Sequence, residues 1–170
     1  KITEEIFEEA ASNLRIMEFR SGAKEFLKFL HDRNIPLIII SAGIGNFIEC
    51  FLKHNDCYFD NIYISSNKIL FKNNIAYEVD SNIIHSLNKN EVSLPEEIKN
   101  KIQNRKKVLL LGDQTKDLNM AVESDKKEII SVGFLTEEIN DVDNFIKKFD
   151  IVCENDNYND ILSIIFDYKI

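Results

Sequence analysis

The stretch Val108–Ala121, VLLLGDQTKDLNMA, decides how this chain is read. An apolar run ends in Gly112-Asp113, and Asp117 follows four residues after the first aspartate. A short apolar run without polar alternation predicts a strand covered on both faces. Gly112 lets the backbone turn sharply, so Asp113 at the strand end and Asp117 one helical turn on could point at one spot. Carboxylate oxygens in that position suit Mg²⁺, which takes one or two protein carboxylates and completes its shell with water and phosphate oxygens. They equally suit a capped helix, with Asp113 as the cap and Asp117 favoured in the first turn. Both readings stand on these residues alone.

The same alternation extends through the chain. Apolar residues at Ile2, Ile6, Ala10, Leu14 and Met17 predict a helix over residues 2–17, and Ser21 caps a second helix through His31. Pro36 precedes LIIIS, a short β-branched run that reads as a buried strand, and after SAGIG a helix is expected over Asn46–Lys53. NIYIS, Asn61–Ser65, is the next strand, and KILFKNNIAYEV reads as a hairpin turning at Lys72-Asn73-Asn74. Leu94-Pro95-Glu96 opens a helix. The strand KVLLLG is then followed by a helix over Thr115–Glu123, EIISVGF by a helix over Thr136–Phe149, and DIVCE by a helix over Asn159–Tyr168. Strands alternating with helices, and apolar throughout, predict an α/β fold with a doubly wound parallel sheet. Ligands bind at the carboxyl ends of strands in such sheets. The positions to examine are therefore Ser41-Ala42-Gly43, Ser65-Ser66-Asn67 and Gly112-Asp113.

With 170 residues, 44% hydrophobic and 29% charged, the chain suits one soluble globular domain. The net charge of −8 and pI of about 5.0 argue against nonspecific nucleic-acid binding and against an anionic membrane surface. A small phosphorylated substrate remains compatible, because a bound cation reverses the local sign. Three cysteines without a framework spacing point to free thiols in a reducing, cytoplasmic compartment. No apolar run has the length of a membrane span, and no signal peptide is evident. The chain begins at Lys1 inside a helix-like pattern, as expected of a piece of something longer.

Three further groups are candidates for chemistry. Ser41, with the backbone N–H groups of Ala42 and Gly43, could hold a phosphate oxygen, although a serine-capped turn explains the same residues. Lys89 could neutralise a transferring phosphoryl group, or be a surface lysine. Cys50, His54 and Cys57 lie close in sequence, but a structural zinc site needs a fourth ligand and none stands out. His31 and His85 read as structural. Phe26, Phe29, Phe47 and Phe51 read as core by their spacing.

Taken in order, the serine after a strand, the lysine and Gly-Asp-x-x-x-Asp resemble motifs two, three and four of the haloacid dehalogenase superfamily of phosphohydrolases. More narrowly, IPLIIISAGIGNFIE, ISSNKILF, IIHSLNKNE and VLLLGDQTKDLNMA resemble the cytosolic pyrimidine 5′-nucleotidase family, from about Glu18 to the C-terminus. Gln114 departs from the family, which usually has serine after the first aspartate. The resemblance implies that Ser41 hydrogen-bonds the transferred phosphoryl oxygen and that Lys89 stabilises charge on the nucleophile and the phosphate. It implies that Asp113 coordinates Mg²⁺ with Asp117 in support, directly or through water, and that Asn67 lines the pocket. It also implies a helical cap, of which residues 1–18 would be the end, returning to a core domain over 19–170.

The resemblance also shows a gap. The family's nucleophile and its general acid–base sit in an Asp-x-Asp-x-Thr motif after the first strand, and this sequence has no such stretch. Asp141-Val142-Asp143 is its Asp-x-Asp, but it falls late and inside a helical pattern. The missing strand would lie centrally, between Ile38–Ser41 and Val108–Gly112. Buried orphan backbone groups cost about 1–3 kcal/mol each. Three arrangements are therefore expected: a missing N-terminal segment, a strand from another chain, or direct pairing of the two flanking strands. The expected function is a Mg²⁺-dependent, 5′-nucleotidase-like phosphohydrolase of small phosphorylated metabolites such as nucleoside monophosphates, working through an aspartyl-phosphate, with this chain a truncated and inactive part. The alternative is a non-enzymatic phosphate- or nucleotide-binding remnant that forms a homo-oligomer through its exposed edges. A response-regulator receiver fits less well, because receivers cluster acids early in the chain.

Overall fold

The computed structural model describes residues 1–13, 17–80, 83–85, 89, 94–121, 128–154 and 157–168, with backbone only at 166–168. Its elements are α1 (Glu4–Ala11), α2 (Ala23–Asp32), β1 (Leu37–Ile44), α3 (Gly45–His54), β2 (Ile62–Asn67), β3 (Ile69–Lys72), β4 (Ile75–Val79), α4 (Glu96–Ile102), β5 (Lys107–Gly112), a 3₁₀ helix (Thr115–Met120), β6 (Glu128–Phe134), α5 (Val142–Lys148), β7 (Ile151–Cys153) and α6 (Asn159–Tyr168). Strands and helices alternate as the hydrophobic pattern requires, and the fold is α/β with parallel ladders.

The chain divides into two compact units, one of residues 1–19 and 27–88, the other of residues 20–26 and 89–170. In the first unit β1 and β2 run parallel, with Leu37–Ser41 opposite Ile62–Ser66. Helix α3 ends in a Schellman turn: Asp56 takes φ +55°, while Cys57 N–H donates to Leu52 O at 2.8 Å and Asp56 N–H to Lys53 O at 3.1 Å. Asn34, at φ +52°, ends α2 in the same way. Asparagine and aspartate tolerate this left-handed conformation better than other side chains do, which is why the helices stop there. Behind the strands, Leu27, Leu52, Cys57 and Ile62 form a buried core with Phe19, Leu37 and Ile39 against it.

The hairpin β3–β4 turns at Asn73 and Asn74, with φ of +52° and +61°, the type I′ geometry that matches strand twist. Asn74 also reaches α1. Thr3, at the N-cap, makes no side-chain cap bond. Instead Asn74 Oδ1 accepts from Glu4 N–H at 3.1 Å. Phe7 of α1 then meets Phe71 edge-on at 5.8 Å.

The second unit is built on the parallel sheet β5-β6-β7. Val132, Phe134, Phe145 and Ile161 are its most deeply buried side chains. Phe145 and Phe149 pack on the sheet over Gly133, where an added Cβ would sit 2.7 Å from both rings.

The parallel ladders are β1–β2 in the first unit and β5–β6–β7 in the second, with β3–β4 an antiparallel hairpin. Several helices are shorter than their apolar spacing suggests. The helix expected over residues 2–17 covers Glu4–Ala11, residues 14–16 lying outside the described ones. The one expected over Thr115–Glu123 is a 3₁₀ helix ending at Met120, with 122–127 outside. The one expected over Thr136–Phe149 begins at Val142, because Asp141 caps it by accepting from Asn144 N–H at 3.1 Å. Asp141-Val142-Asp143 thus starts a helix rather than lying within one.

The crowding at Gly133 yields a test. Gly133→Ala should destabilise the chain by about 1–3 kcal/mol, the cost of overpacking a core, read as a lower urea midpoint with unchanged slope. An unchanged midpoint would show that the two phenylalanines can move aside.

Candidate functional site

Asp113 and Asp117 do different things. Asp117 is buried at 7% exposure, and both of its carboxylate oxygens are engaged. Oδ1 accepts from Lys89 Nζ at 2.9 Å. Oδ2 accepts from the backbone N–H groups of Asp113 and Gln114, both at 3.1 Å. The Gln114 side chain returns the bond by accepting from the Asp117 N–H, closing a capping box. The residue that departs from the family pattern therefore serves as the cap of the 3₁₀ helix.

The role of Gly112 differs from the one its position suggests. Its φ is ordinary, since Gly22 is the glycine at positive φ among the described residues. What Gly112 supplies is space. A Cβ there would lie 2.5 Å from Asp117 Cβ and 2.8 Å from Oδ2. Without a side chain at 112, Asp117 folds back onto the strand end and holds the loop by two N–H groups. Asp113 is left outward, its side chain 44% exposed, in contact with Arg20 Nη2 through Oδ2 at 3.3 Å.

Lys89 is not a solvated lysine. Its side chain is 22% exposed and its ammonium lies against Asp117. Beside Asp113 opens a cleft of roughly 650 Å³, lined among others by Arg20, Gln114, Thr115, Thr136 and Asn144. Thr136 belongs to the segment expected to be helical, but it opens a single turn, its carbonyl accepting from Ile139 N–H at 3.2 Å, and it lines this cleft. Arg20 was not singled out by sequence patterning. A lone arginine before a helix carries no spacing signal.

In the first unit Ser41 lies where the β1–β2 ladder loses register, between Ser41 and Ile44. Ala42 and Gly43 are exposed. Gly43 N–H donates to Ser41 Oγ at 3.1 Å, so the hydroxyl and this N–H face one another. Asn67, expected to line a pocket, spends its amide on the backbone: it donates to Ala42 O at 2.7 Å and Ile84 O at 2.9 Å, and accepts from Ile84 N–H at 2.7 Å. Asn67 thus braces the Ser41 loop. Ser41 and Asn67 belong to the first unit, and Lys89, Asp113 and Asp117 to the second.

Among the described residues no three His, Cys, Asp or Glu side chains gather as a metal site. Burial pushes the Cys50 thiol up, away from the thiolate that zinc requires. One outward carboxylate, Asp113, with Asp117 locked behind it, is a donor set compatible with a largely hydrated divalent cation. Among the described residues no helix is long and apolar enough to cross a membrane.

The space at Gly112 yields a prediction. Gly112→Ala should displace the Asp117 carboxylate, cost about 1–3 kcal/mol and release the Asp113 and Gln114 amides to faster hydrogen exchange. Protection unchanged at both amides would show that the capping box does not depend on this glycine.

Residues 1–169 match the family model described as Pyrimidine 5′-nucleotidase (UMPH-1). A 7-methylguanosine phosphate-specific 5′-nucleotidase A from Xenopus laevis is 34% identical over 153 residues, 88% of this chain and 53% of the relative. The Homo sapiens 7-methylguanosine phosphate-specific 5′-nucleotidase is 31% identical over 148 residues, 85% of this chain and 49% of its own. The chain thus spans about half the length of these curated relatives. Among solved structures, cytosolic 5′-nucleotidase IIIB bound to cytidine matches with a TM-score of 0.81 and 25% identity, over 96% of this chain and 55% of that one. A phosphoserine phosphohydrolase-like protein from Francisella tularensis shares the fold, with a TM-score of 0.61 and 19% identity, over 96% of this chain and 70% of its own. By its motifs, its haloacid dehalogenase-like fold and the match over nearly its whole length, the chain belongs to the pyrimidine 5′-nucleotidase (UMPH-1) family.

Proposed function

We propose that these residues are the phosphate- and metal-handling part of a Mg²⁺-dependent 5′-nucleotidase that acts on nucleoside monophosphates. The observation that carries the reading is the arrangement of Lys89, Asp117 and Asp113. A buried carboxylate fixes a lysine on one side and a strand-end loop on the other, and leaves one carboxylate facing outward. In this reading Asp113 holds the metal, and Asp117 supports it by fixing the loop. When bound, Mg²⁺ supplies positive charge that polarises phosphoryl oxygens. Lys89 adds a charge held in place by Asp117, so no reorganisation is needed when negative charge develops. Ser41 and the N–H groups of Ala42 and Gly43 are assigned to the phosphoryl oxygens, and Asn67 to bracing their loop. The names of the relatives support a nucleotide as substrate, one group acting on 7-methylguanosine phosphate and one solved structure holding cytidine. Residues 1–18 are assigned to the end of a cap and 19–170 to the core.

The aspartate nucleophile is not supplied by these residues. The sequence holds no Asp-x-Asp-x-Thr stretch, and Asp141 is occupied as a helix cap. The 170 residues alone should therefore release no phosphate from cytidine or 7-methylguanosine monophosphate above background. Supplied with the family's Asp-x-Asp-x-Thr segment, they should release phosphate in a Mg²⁺-dependent manner. In that complex Lys89→Met should lower the rate by about 10²–10³, the effect of removing one preorganised charge donor. A colorimetric phosphate assay decides it. Turnover by the chain alone that survives Asp113→Asn would sink this reading and move attention to a different site.

A further inference from the structure

Two cation–carboxylate pairs meet at the end of β5, and they are built differently. Lys89–Asp117 is short at 2.9 Å, with side chains 22% and 10% exposed. Arg20–Asp113 is longer at 3.3 Å, with side chains 31% and 44% exposed. A charge-assisted bond of full strength is nearer 2.7–2.9 Å, and a partly exposed pair is weakened by solvent. The first pair is a fixture, whereas the second is loose.

Arg20 nevertheless stays close to Asp113. Its guanidinium carbon lies 4.8 Å from the centroid of the buried Phe134 ring, in cation–π geometry. Its chain is clamped on the far side. Ser21 bridges Asn157, and Ser21 O accepts from Tyr158 N–H at 2.7 Å. Gly22 takes φ +75°, where a Cβ would meet Asn159 Oδ1 at 2.6 Å. Phe134 in turn packs on Tyr158 at 5.0 Å. The guanidinium can let go of the carboxylate, but it remains in the neighbourhood.

We propose that Arg20 is a built-in counter-cation of Asp113: it neutralises this carboxylate in the metal-free chain, is displaced when a divalent cation arrives, and by remaining close limits how tightly that cation is held. Arg20 is thus a positioning residue that acts through Asp113. The inference rests on Asp113 being the metal ligand, as proposed above. The physical cause is the repulsion between a guanidinium held nearby by Phe134 and a divalent ion on the carboxylate it has left. It lowers metal affinity without touching the metal, and it weakens as salt screens it.

The test is binding of Mn²⁺, a paramagnetic stand-in for Mg²⁺, to the 170-residue chain, followed by the EPR signal of the free ion at low and high salt. Arg20→Gln should bind Mn²⁺ roughly tenfold more tightly than the parent at low salt, with the advantage shrinking at high salt. Arg20→Lys, which keeps the charge, should bind as the parent does, and Asp113→Asn should lose the site. Circular dichroism checks that each variant is folded. Equal or weaker binding by Arg20→Gln, with binding still dependent on Asp113, would overturn the role of Arg20 alone. Tighter binding by both Arg20 variants would also overturn it, since charge would then not be the cause. Folded protein that binds no Mn²⁺ in any form, or binds it equally well as Asp113→Asn, would overturn the metal role of Asp113 itself and the inference with it.

Discussion

The carboxylate of Asp117 is the constraint on which the second unit's candidate site depends. It is buried, so its charge must be answered, and three donors answer it: one ammonium and two backbone N–H groups. Each does structural work elsewhere. The ammonium fixes Lys89, which belongs to no helix or strand. The N–H groups fix the turn after β5, and that turn sets the direction of Asp113. None of this is possible unless residue 112 lacks a side chain. A motif of two aspartates and a glycine is thus mechanically one object. The glycine makes room for the second acid, the second acid shapes the loop, and the loop presents the first.

The first unit solves its loop problems with asparagine. A primary amide carries the same donor and acceptor as a peptide group, so it can stand in for a missing strand or turn. Asn67 pairs with Ile84 through both ends of its amide and also ties down Ala42. Asn46 pairs with Ile69 in the same two-ended way, and Asn61 satisfies the Ile35 carbonyl at 2.7 Å. Asn34, Asn73 and Asn74 take left-handed φ where a bulkier residue would be strained. Thus the Ser41 loop, like the Asp113 loop, is held by a side chain that is itself no longer available to a ligand. In both units the residues nearest the candidate chemistry are braces as much as binders.

The chain belongs to the pyrimidine 5′-nucleotidase family and spans about half the length of the curated relatives it matches. The parallel register within each ladder is regular up to the residues of interest. Gly112 pairs with Gly133, and Ser41 with Ser66. Each unit thus carries its candidate residues at the end of a parallel strand.

Much of this was legible in the sequence, because it rests on short-range physics. Apolar runs marked the buried strands, Asn73-Asn74 marked the hairpin, and Gly-Asp-x-x-x-Asp with SAGIG marked the family. Helix lengths were not legible. Apolar spacing continues past Ala11 and begins before Val142, but helices end where capping and tertiary bonds stop them. The sequence by itself determined the fold class, the strand ends that matter and the residues placed on them. Only the tertiary structure decided that Asp117 is spent on Lys89 and the loop while Asp113 faces outward, that Asn67 braces the Ser41 loop, and that Arg20 is brought onto Asp113. Those outcomes depend on which donors meet a buried charge, and donors distant in sequence, such as Lys89 for Asp117 and Arg20 for Asp113, leave no periodic trace along the chain.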